Sequence, residues 1–347
     1  MKSADLIELA RIHGFELAGV TTAGQLPESE YYLDWAARGM AGDMHYLTDQ
    51  RAQKRRDVRN LLPSAKSVLV VGKLYNTEDP YSVDADLEGK GWISRYAWSN
   101  DYHTSMKQRL TSVAEKIASL TRCEYKVCVD TAPLLERALA KKAGLGWIGK
   151  NTCLINQQQG SWFFLGEILL SLDLQSESVA PPPDRCGTCT RCISACPTDA
   201  LIPTSSTTGP SHELDARRCI SYFTIELRGT IPEDMRKGMG SHIFGCDICQ
   251  DVCPWNRKAP TTSDPAFQAL NIAPSLEEMA ALSPQQFRQR FHDTPVERTR
   301  QRGFLRNVAV AMGNTRNRRF ESALQSLALH EDEVVRQHAI WGLDQLL

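Results

Sequence analysis

Nowhere does the 347-residue chain carry an apolar run approaching the roughly 20 residues of a membrane-spanning helix. The first ten residues, Met1 to Ala10, place acids inside their apolar stretch and lack the uninterrupted apolar core of a secretion signal. Charge of one sign is missing too. Against 40 Lys and Arg stand 41 Asp and Glu, a net charge of −1, so overall charge names no partner and any basic surface must be local. Composition is otherwise that of a globular protein, 42% hydrophobic and 23% charged, with length for two or three domains. A cytoplasmic protein without membrane attachment is expected.

Cysteine, by contrast, is plentiful and patterned. Cys186-Gly-Thr-Cys189-Thr-Arg-Cys192-Ile-Ser-Ala-Cys196, followed by Pro197, is the C-x2-C-x2-C-x3-C-P run of bacterial-type ferredoxins. Three thiolates in a tight turn grip three corners of one [4Fe–4S] cube, and the fourth reaches a second cube. That second cube needs three more thiolates and the first needs one. Cys246-Asp-Ile-Cys249-Gln-Asp-Val-Cys253-Pro254 supplies three, and Cys219, between the runs, makes up the deficit. The expected ligand sets are Cys186, Cys189, Cys192 and Cys253 on one cluster, and Cys196, Cys219, Cys246 and Cys249 on the other. Paired C-x2-C is also zinc spacing, but zinc has no use for the third cysteine or for the Cys-Pro closing each run. Cys123, Cys128 and Cys153 read as buried free thiols, as a reducing compartment allows.

Elsewhere the pattern is mixed α and β. Leu6, Leu9 and Ala10 share a helical face over 3–13, with Ser3 as its cap, and a second helix over about 28–38 ends at Gly39. The basic loop 51–59 stands directly before a core strand, Val68 to Val71, and reads as a solvated face or an anion site. Trp92, Tyr96, Trp98 and Tyr102, interleaved with Arg95 and His103, are dense enough to be core, to wall a flat ligand or to stack on bases. A helix over about 104–120 and a strand over 125–129 follow. Asp130-Thr-Ala-Pro133 then opens a helix from Leu134 to Ala143, which gives Asp130 a plain reading as an N-terminal cap. Gly144 to Gly149 matches G-x-G-x-x-G, but it follows a helix and precedes a strand, the reverse of a dinucleotide site. Strands are expected at 151–156 and 162–172. Pro181 to Pro183 mark a domain boundary, a Ser/Thr stretch at 204–211 separates the two cysteine runs, and 259–265 reads as linker. Near the end, Arg288, Arg290, Arg298, Arg300, Arg302, Arg306, Arg316, Arg318 and Arg319 face only Asp293 and Glu297. Leu305, Val308, Ala309 and Met312 stripe one helix there, and Val334, Val335, Ala339 and Leu343 stripe another. Together they look like one HEAT-type hairpin whose arginines are placed to meet phosphates.

Several of these segments together resemble the epoxyqueuosine reductase family. They are Arg95-Tyr-Ala-Trp98-Ser-Asn-Asp101-Tyr102-His103, Val129-Asp130-Thr-Ala-Pro-Leu-Leu-Glu-Arg137, Ala143 to Ile155, the double cysteine run, and Arg218-Cys219-Ile-Ser221-Tyr-Phe-Thr. The likeness spans nearly the whole chain, with a shorter C-terminal end than relatives carrying longer helical tails. It implies an α+β architecture of three parts: a nitroreductase-like cobalamin-binding module over 1–180, a ferredoxin-like double-cluster module over 181–258, and a HEAT-like helical tRNA-docking region over 259–347. It also implies the last step of queuosine biosynthesis, reduction of epoxyqueuosine to queuosine at the tRNA wobble position. The implied cofactors are cobalamin and two [4Fe–4S] clusters, and the implied partners are the anticodon stem-loop and a low-potential electron donor. A monomer is expected.

Epoxide to alkene plus water takes two electrons and two protons. About 180 residues precede the clusters, far more than a bare electron carrier needs. By resemblance, cob(I)alamin is fed by the clusters and Asp130 protonates the departing oxygen, which predicts a dry, apolar pocket keeping that acid neutral. The corrin contacts implied are Arg55, Arg137, Leu154, Ile155 and Asn156 (the last three as an exposed strand edge), Leu165, Ser221, and the Gly245-Cys246-Asp247 turn, besides Asp130. No Asp-x-His-x-x-Gly motif occurs, so no histidine axial ligand is expected. Nor does Gly91-Trp-Ile-Ser94-Arg95 hold the cysteine some relatives carry before Trp98. A non-catalytic RNA-binding redox sensor and a reductive dehalogenase are the other readings weighed. The first would not need Asp130 in a cobalamin pocket, and the second has no reason for an arginine-rich tail.

Overall fold

The computed structural model describes residues 1–174, 181–204 and 210–347. Its largest sheet is four-stranded and antiparallel throughout. The strands are β1 (Leu17–Thr22), β2 (Ser67–Leu74), β3 (Tyr125–Cys128) and β4 (Phe163–Leu170), in the order β1-β2-β4-β3. Every residue of β2 is buried, as a central strand covered on both faces requires. Alternation along β4 splits its side chains between two cores. Phe164, Ile168 and Leu170 join one with α1 (Ser3–Ile12) and α2 (Tyr102–Leu120). Phe163 and Leu169 join the other, with α3 (Glu136–Lys142).

On α2, Met106, Leu110, Val113, Ala114 and Ile117 form the buried stripe that its spacing predicts. Asp101 caps it, accepting the His103 N–H at 3.0 Å. Two cap expectations shift. Ser3 is the first helical residue of α1, and the Lys2 N–H is held by Asp5 at 2.7 Å. The helix after Asp130 begins only at Glu136, so Asp130 is not its cap.

The cysteine-bearing segment is built of short elements. Its helices Arg191–Ala195 and Ile248–Asp251 follow the two cysteine turns, and the strand His242–Phe244 pairs in parallel with Trp92–Ile93. That pairing settles two aromatics: Trp92 and Trp98 are core, at 0% and 1% exposure. The boundary expected at 180/181 adjoins, and the Ser/Thr stretch at 204–211 largely falls on, residues outside those described.

C-terminally the chain forms α4 (Arg300–Thr315), α5 (Glu321–Ala328) and α6 (Glu333–Asp344), one long helix more than expected. Leu305, Val308, Ala309 and Met312 are buried as the stripe predicts. Helices α4 and α6 cross closely enough that a Cβ on Gly313 would meet the Gly342 Cα at 2.7 Å.

Arg306 departs from its expected role. It is wholly buried and donates to the carbonyls of Leu227 (2.8 Å), Gly229 (2.9 Å) and Phe223. It therefore braces the π-helical turn Tyr222–Glu226 that follows Cys219, and no phosphate can reach it. Arg298, Arg302 and Arg319 are paired with Glu226, Asp332 and Glu277. Arg288, Arg300, Arg316 and Arg318 remain exposed without an acid partner among the described residues.

Replacing Arg306 by Met strands these carbonyls in the interior. Denaturant unfolding of Arg306→Met is expected to give a loss of about 3 kcal/mol, and an unchanged stability would refute the bracing role.

Candidate active site

The eight patterned cysteines fall into two groups. Burial, then Cys253, Cys186 and Cys189, push the Cys192 thiol up to about 11. Burial raises Cys253 to about 11 as well, with Cys186 and Cys189 among its neighbours. In the other group, burial and then Cys219 and Cys196 raise Cys246, and the hydrogen bond to Cys153 followed by burial, Cys246 and Cys219 raise Cys249. Local bonds hold the turns: Lys150 Nζ donates to the carbonyls of Gly187 (2.7 Å) and Cys189 (3.0 Å), and the Ala200 N–H points at Cys196 Sγ at 3.3 Å. Burial and mutual repulsion oppose thiolate charge, and cluster iron is the group that would offset it, so the donor sets fit two cubes. No tight cluster suited to a single metal ion occurs among the described residues. A cube held at its corners does not require one.

Asp130 stands at the end of β3 with φ 48°, a left-handed conformation unusual for a residue other than glycine. The expected dry pocket is not what surrounds it. Its side chain is 42% exposed and meets His103 Nε2 at 3.2 Å. His103 Nδ1 in turn meets Asp101 at 2.6 Å, so one imidazole bridges two carboxylates. Partial burial disfavours its charge, but the bonds to Asp101 and Asp130 prevail and raise it to about 9. At neutral pH His103 therefore carries a proton, one hydrogen bond away from Asp130. Tyr102 stacks on His103 with ring centroids 4.2 Å apart.

Around this pair three distant segments meet. Arg298 bonds Glu226 at 2.7 Å and donates to the Tyr46 hydroxyl at 3.2 Å, and all three lie within electrostatic reach of Asp130 or of the Tyr96 beside it. Sequence reasoning noted His103 only as a neighbour of aromatics and missed Tyr46 and Glu226. His103 had a signal, since it lies two residues beyond the helix cap Asp101 and one such carboxylate can hold both its N–H and its ring. Tyr46 and Glu226 had none, because only the tertiary fold joins them.

The residues expected to touch a corrin divide. Arg137, Leu165, Ser221 and Asp130 keep accessible surface: a cation, an apolar group, a hydroxyl and an acid, the mix that a macrocycle edged with amides could use. Leu154 and Ile155 pair with Trp147–Ile148 along one edge and their side chains are 3% and 1% exposed, so what they can offer a ligand is the backbone of the strand's other edge, which has no strand partner among the described residues. Asn156 is occupied by Leu145 O at 2.7 Å and by the N–H groups of Gln158 and Gln159. Arg55 is buried beside Tyr32, donating to Tyr46 O at 3.0 Å, while Arg51, Arg56 and Arg59 of the same loop are spent on Asp49, Glu30 and Asp57. Gly245, at φ 69°, donates to Thr224 Oγ1 at 2.9 Å. The buried Asp247 carboxylate is wholly engaged by Trp92, Ser94 and Arg95, so only its backbone is free for a ligand. Cys153 is half-buried rather than inert core and donates to the Asn151 carbonyl at 3.7 Å, while the Asn151 side chain donates to the Cys249 carbonyl at 3.3 Å. Arg137, next to Glu136 on α3, donates to the Thr152 carbonyl, so the acid site and the second thiol group are only a few bonded residues apart.

The raised His103 sets a pH dependence. Its ion pairs stabilise the fold fully below about 6.5 and lose that contribution as pH rises through about 9. Thermal melts across pH 7 to 10 should therefore fall more steeply for the native chain than for His103→Gln, and parallel curves would contradict the assignment.

Comparison with known proteins bears on this site. Residues 55–131 match the family model "Epoxyqueuosine reductase QueG, DUF1730", and residues 185–256 match the "4Fe-4S double cluster binding domain". The epoxyqueuosine reductase of Xanthomonas campestris pv. campestris is 44% identical, over 99% of this chain and 96% of that protein. An epoxyqueuosine reductase crystallised with an epoxyqueuosine-modified tRNA-Tyr stem loop superposes with a TM-score of 0.87 at 28% identity, covering 99% of this chain and 89% of that one. The Bacillus subtilis enzyme, solved with its catalytic aspartate loop swung out of the active site, superposes with a TM-score of 0.85 at 28% identity, covering 99% and 90%.

Proposed function

The chain belongs to the epoxyqueuosine reductase family, an oxidoreductase with a double [4Fe–4S] domain, and from that we propose how its own residues serve the reaction. Its substrate is epoxyqueuosine in the wobble position of tRNA, and its product is queuosine, the last step of that biosynthesis. Cobalamin, when bound, supplies the electron pair to the epoxide carbon, and the two clusters supply cobalamin with single electrons from a low-potential donor. The cluster ligands are Cys186, Cys189, Cys192 and Cys253, and Cys196, Cys219, Cys246 and Cys249.

The observation that carries this reading is the short path between the acid pair and the second thiol group. Arg137 joins the Asp130 segment to Thr152, and the neighbouring Asn151 donates to the Cys249 carbonyl at 3.3 Å. This supports delivery of protons and electrons to one place. Asp130 is the proton donor, with a correction to how it is supplied. An exposed carboxylate paired with a charged imidazole acts as a relay: it takes the His103 proton along the 3.2 Å bond and passes that same proton to the departing oxygen, leaving His103 neutral. Asp101 fixes the tautomer and orientation of that imidazole. Arg137 and Leu165 would hold the corrin with their side chains, whereas Leu154, Ile155, Asn156, Gly245, Cys246 and Asp247 would offer mainly backbone. Arg55 and Ser221 would complete the set, Ser221 from the residue before the π-helical turn.

In domain terms, 1–180 would be a nitroreductase-like cobalamin module, 181–258 the ferredoxin-like module and 259–347 a HEAT-like region docking the anticodon stem-loop through Arg288, Arg300, Arg316 and Arg318. No helix among the described residues is long and apolar enough to cross a membrane. A cytoplasmic monomer is proposed.

The decisive assay incubates anaerobically reconstituted enzyme, cobalamin and reductant with epoxyqueuosine-containing tRNA and weighs the nucleosides. Cobalamin-dependent loss of one oxygen is expected, and no loss with both cofactors verified would reject the reading. Asp130→Asn should slow turnover by about 100-fold or more with cobalamin still bound. Cys246→Ala should hold about half the iron of the native protein; full iron content would dismiss its ligand role.

A further inference from the structure

Behind Asp130 lies a second pair of acids that the proton-transfer reading leaves unused. Glu136 opens α3 and is half-buried. Glu167, on β4, is wholly buried between Val70 and Cys128 of the neighbouring strands and shares the β4 face that packs on α3. Neither oxygen of Glu167 has a hydrogen-bond partner among the described residues. Its face of β4 packs on α3, the helix that Glu136 opens. Two buried carboxylates on elements packed together would repel, so one of them is favoured in its protonated form. Glu167 is the more deeply buried and is the natural holder of the proton. Burial, then the charge of Asp130, raises Glu136 to about 7, and burial and Glu136 raise Glu167 further.

The other half of Glu136 reaches backwards. Its Oε1 accepts the backbone N–H of Asp130 at 2.7 Å, six residues earlier. A carboxylate placed only to cap α3 would take that helix's own first N–H groups. Instead it clasps the one residue of the Val129 to Arg137 segment that holds a left-handed backbone. Such a conformation persists in a residue with a Cβ only where its surroundings over-determine it.

We propose that Glu136, backed by the buried Glu167, is a positioning residue that clasps the Asp130 N–H and so holds the donor carboxyl at the reaction site. The inference rests on Asp130 being the proton donor. Glu136 does not touch substrate or exchange protons with it. It fixes the strained turn from which Asp130 projects, and Glu167 backs Glu136.

The test uses cofactor-loaded enzyme and tRNA substrate with Glu136→Met, which keeps size and helix propensity but removes the acceptor. Expected are a kcat lowered about 10- to 100-fold, the range of a lost hydrogen bond to a charged group, an unchanged KM for tRNA, and an unchanged cobalamin spectrum. Hydrogen–deuterium exchange without substrate should show faster exchange at the Asp130 amide. Glu136→Gln, whose amide oxygen can still accept, should recover most of the loss. If Glu136→Met does not fold, Glu136→Asp tests the same contact with a carboxylate too short to reach. Native kcat and native exchange in the acceptor-less variant, with Asp130→Asn inactive, would overturn the clasp. Native turnover in Asp130→Asn would instead remove the donor reading, and the exchange result would still report on the clasp.

Discussion

The buried carboxylate of Asp247 holds the cofactor-side architecture together. It lies between two cysteines of the second ligand set and accepts the Trp92 indole N–H at 3.1 Å, the Arg95 N–H at 2.7 Å and the Ser94 hydroxyl. A charged group this deep is tolerated only when its lone pairs are filled, and here the donors come from a segment some 150 residues earlier. Arg95 extends the connection. Its guanidinium donates to the carbonyls of Thr77, Asp79 and Pro80 and lies 4.3 Å from the Trp98 ring centre. One acid thus joins the aromatic segment, the acidic loop before it and the cysteine turn after it. Loss of any donor would leave a buried polar group without its partner, so the three segments are tied to one another.

Reduction of an epoxide to an alkene is a problem of supply, two electrons and two protons to one spot. The fold answers with two short routes. In the proposed reading, electrons would come through the two clusters held by the cysteine turns, and protons through the imidazole suspended between Asp101 and Asp130. The routes meet at α3, where Glu136 clasps the donor loop and Arg137 reaches toward Cys153 and Cys249. The placement explains why so short a helix carries two charged residues in its first turn: each serves a neighbour outside the helix.

How much of this was legible beforehand depended on the range of the interactions. The cysteine groups were readable because cluster ligation imposes fixed local spacing, and the buried stripes of α2 and α4 were readable from periodicity. Asp130 was recognisable from its motif, but its surroundings were not. The expected dry pocket is an exposed ion pair, because the partner comes from the first turn of α2, 27 residues away. The arginine-rich tail misled in part: Arg306 looks like its neighbours in sequence, and only packing sends it into the carbonyls after Cys219. The strand Leu154 to Ile155 was placed correctly in the chain, but its side chains are buried and one edge is paired with Trp147–Ile148, contacts that alternation cannot reveal.

The bond between Arg298 and the Tyr46 hydroxyl closes a loop of 252 residues, and the contact of Tyr46 with Glu226 closes one of 180. Such closures are entropically costly and form late, whereas the cysteine turns and the β2–β4 pairing draw on nearer partners. The rim of the active site therefore depends on contacts between distant parts of the chain, whereas each cysteine turn is built from residues close in sequence.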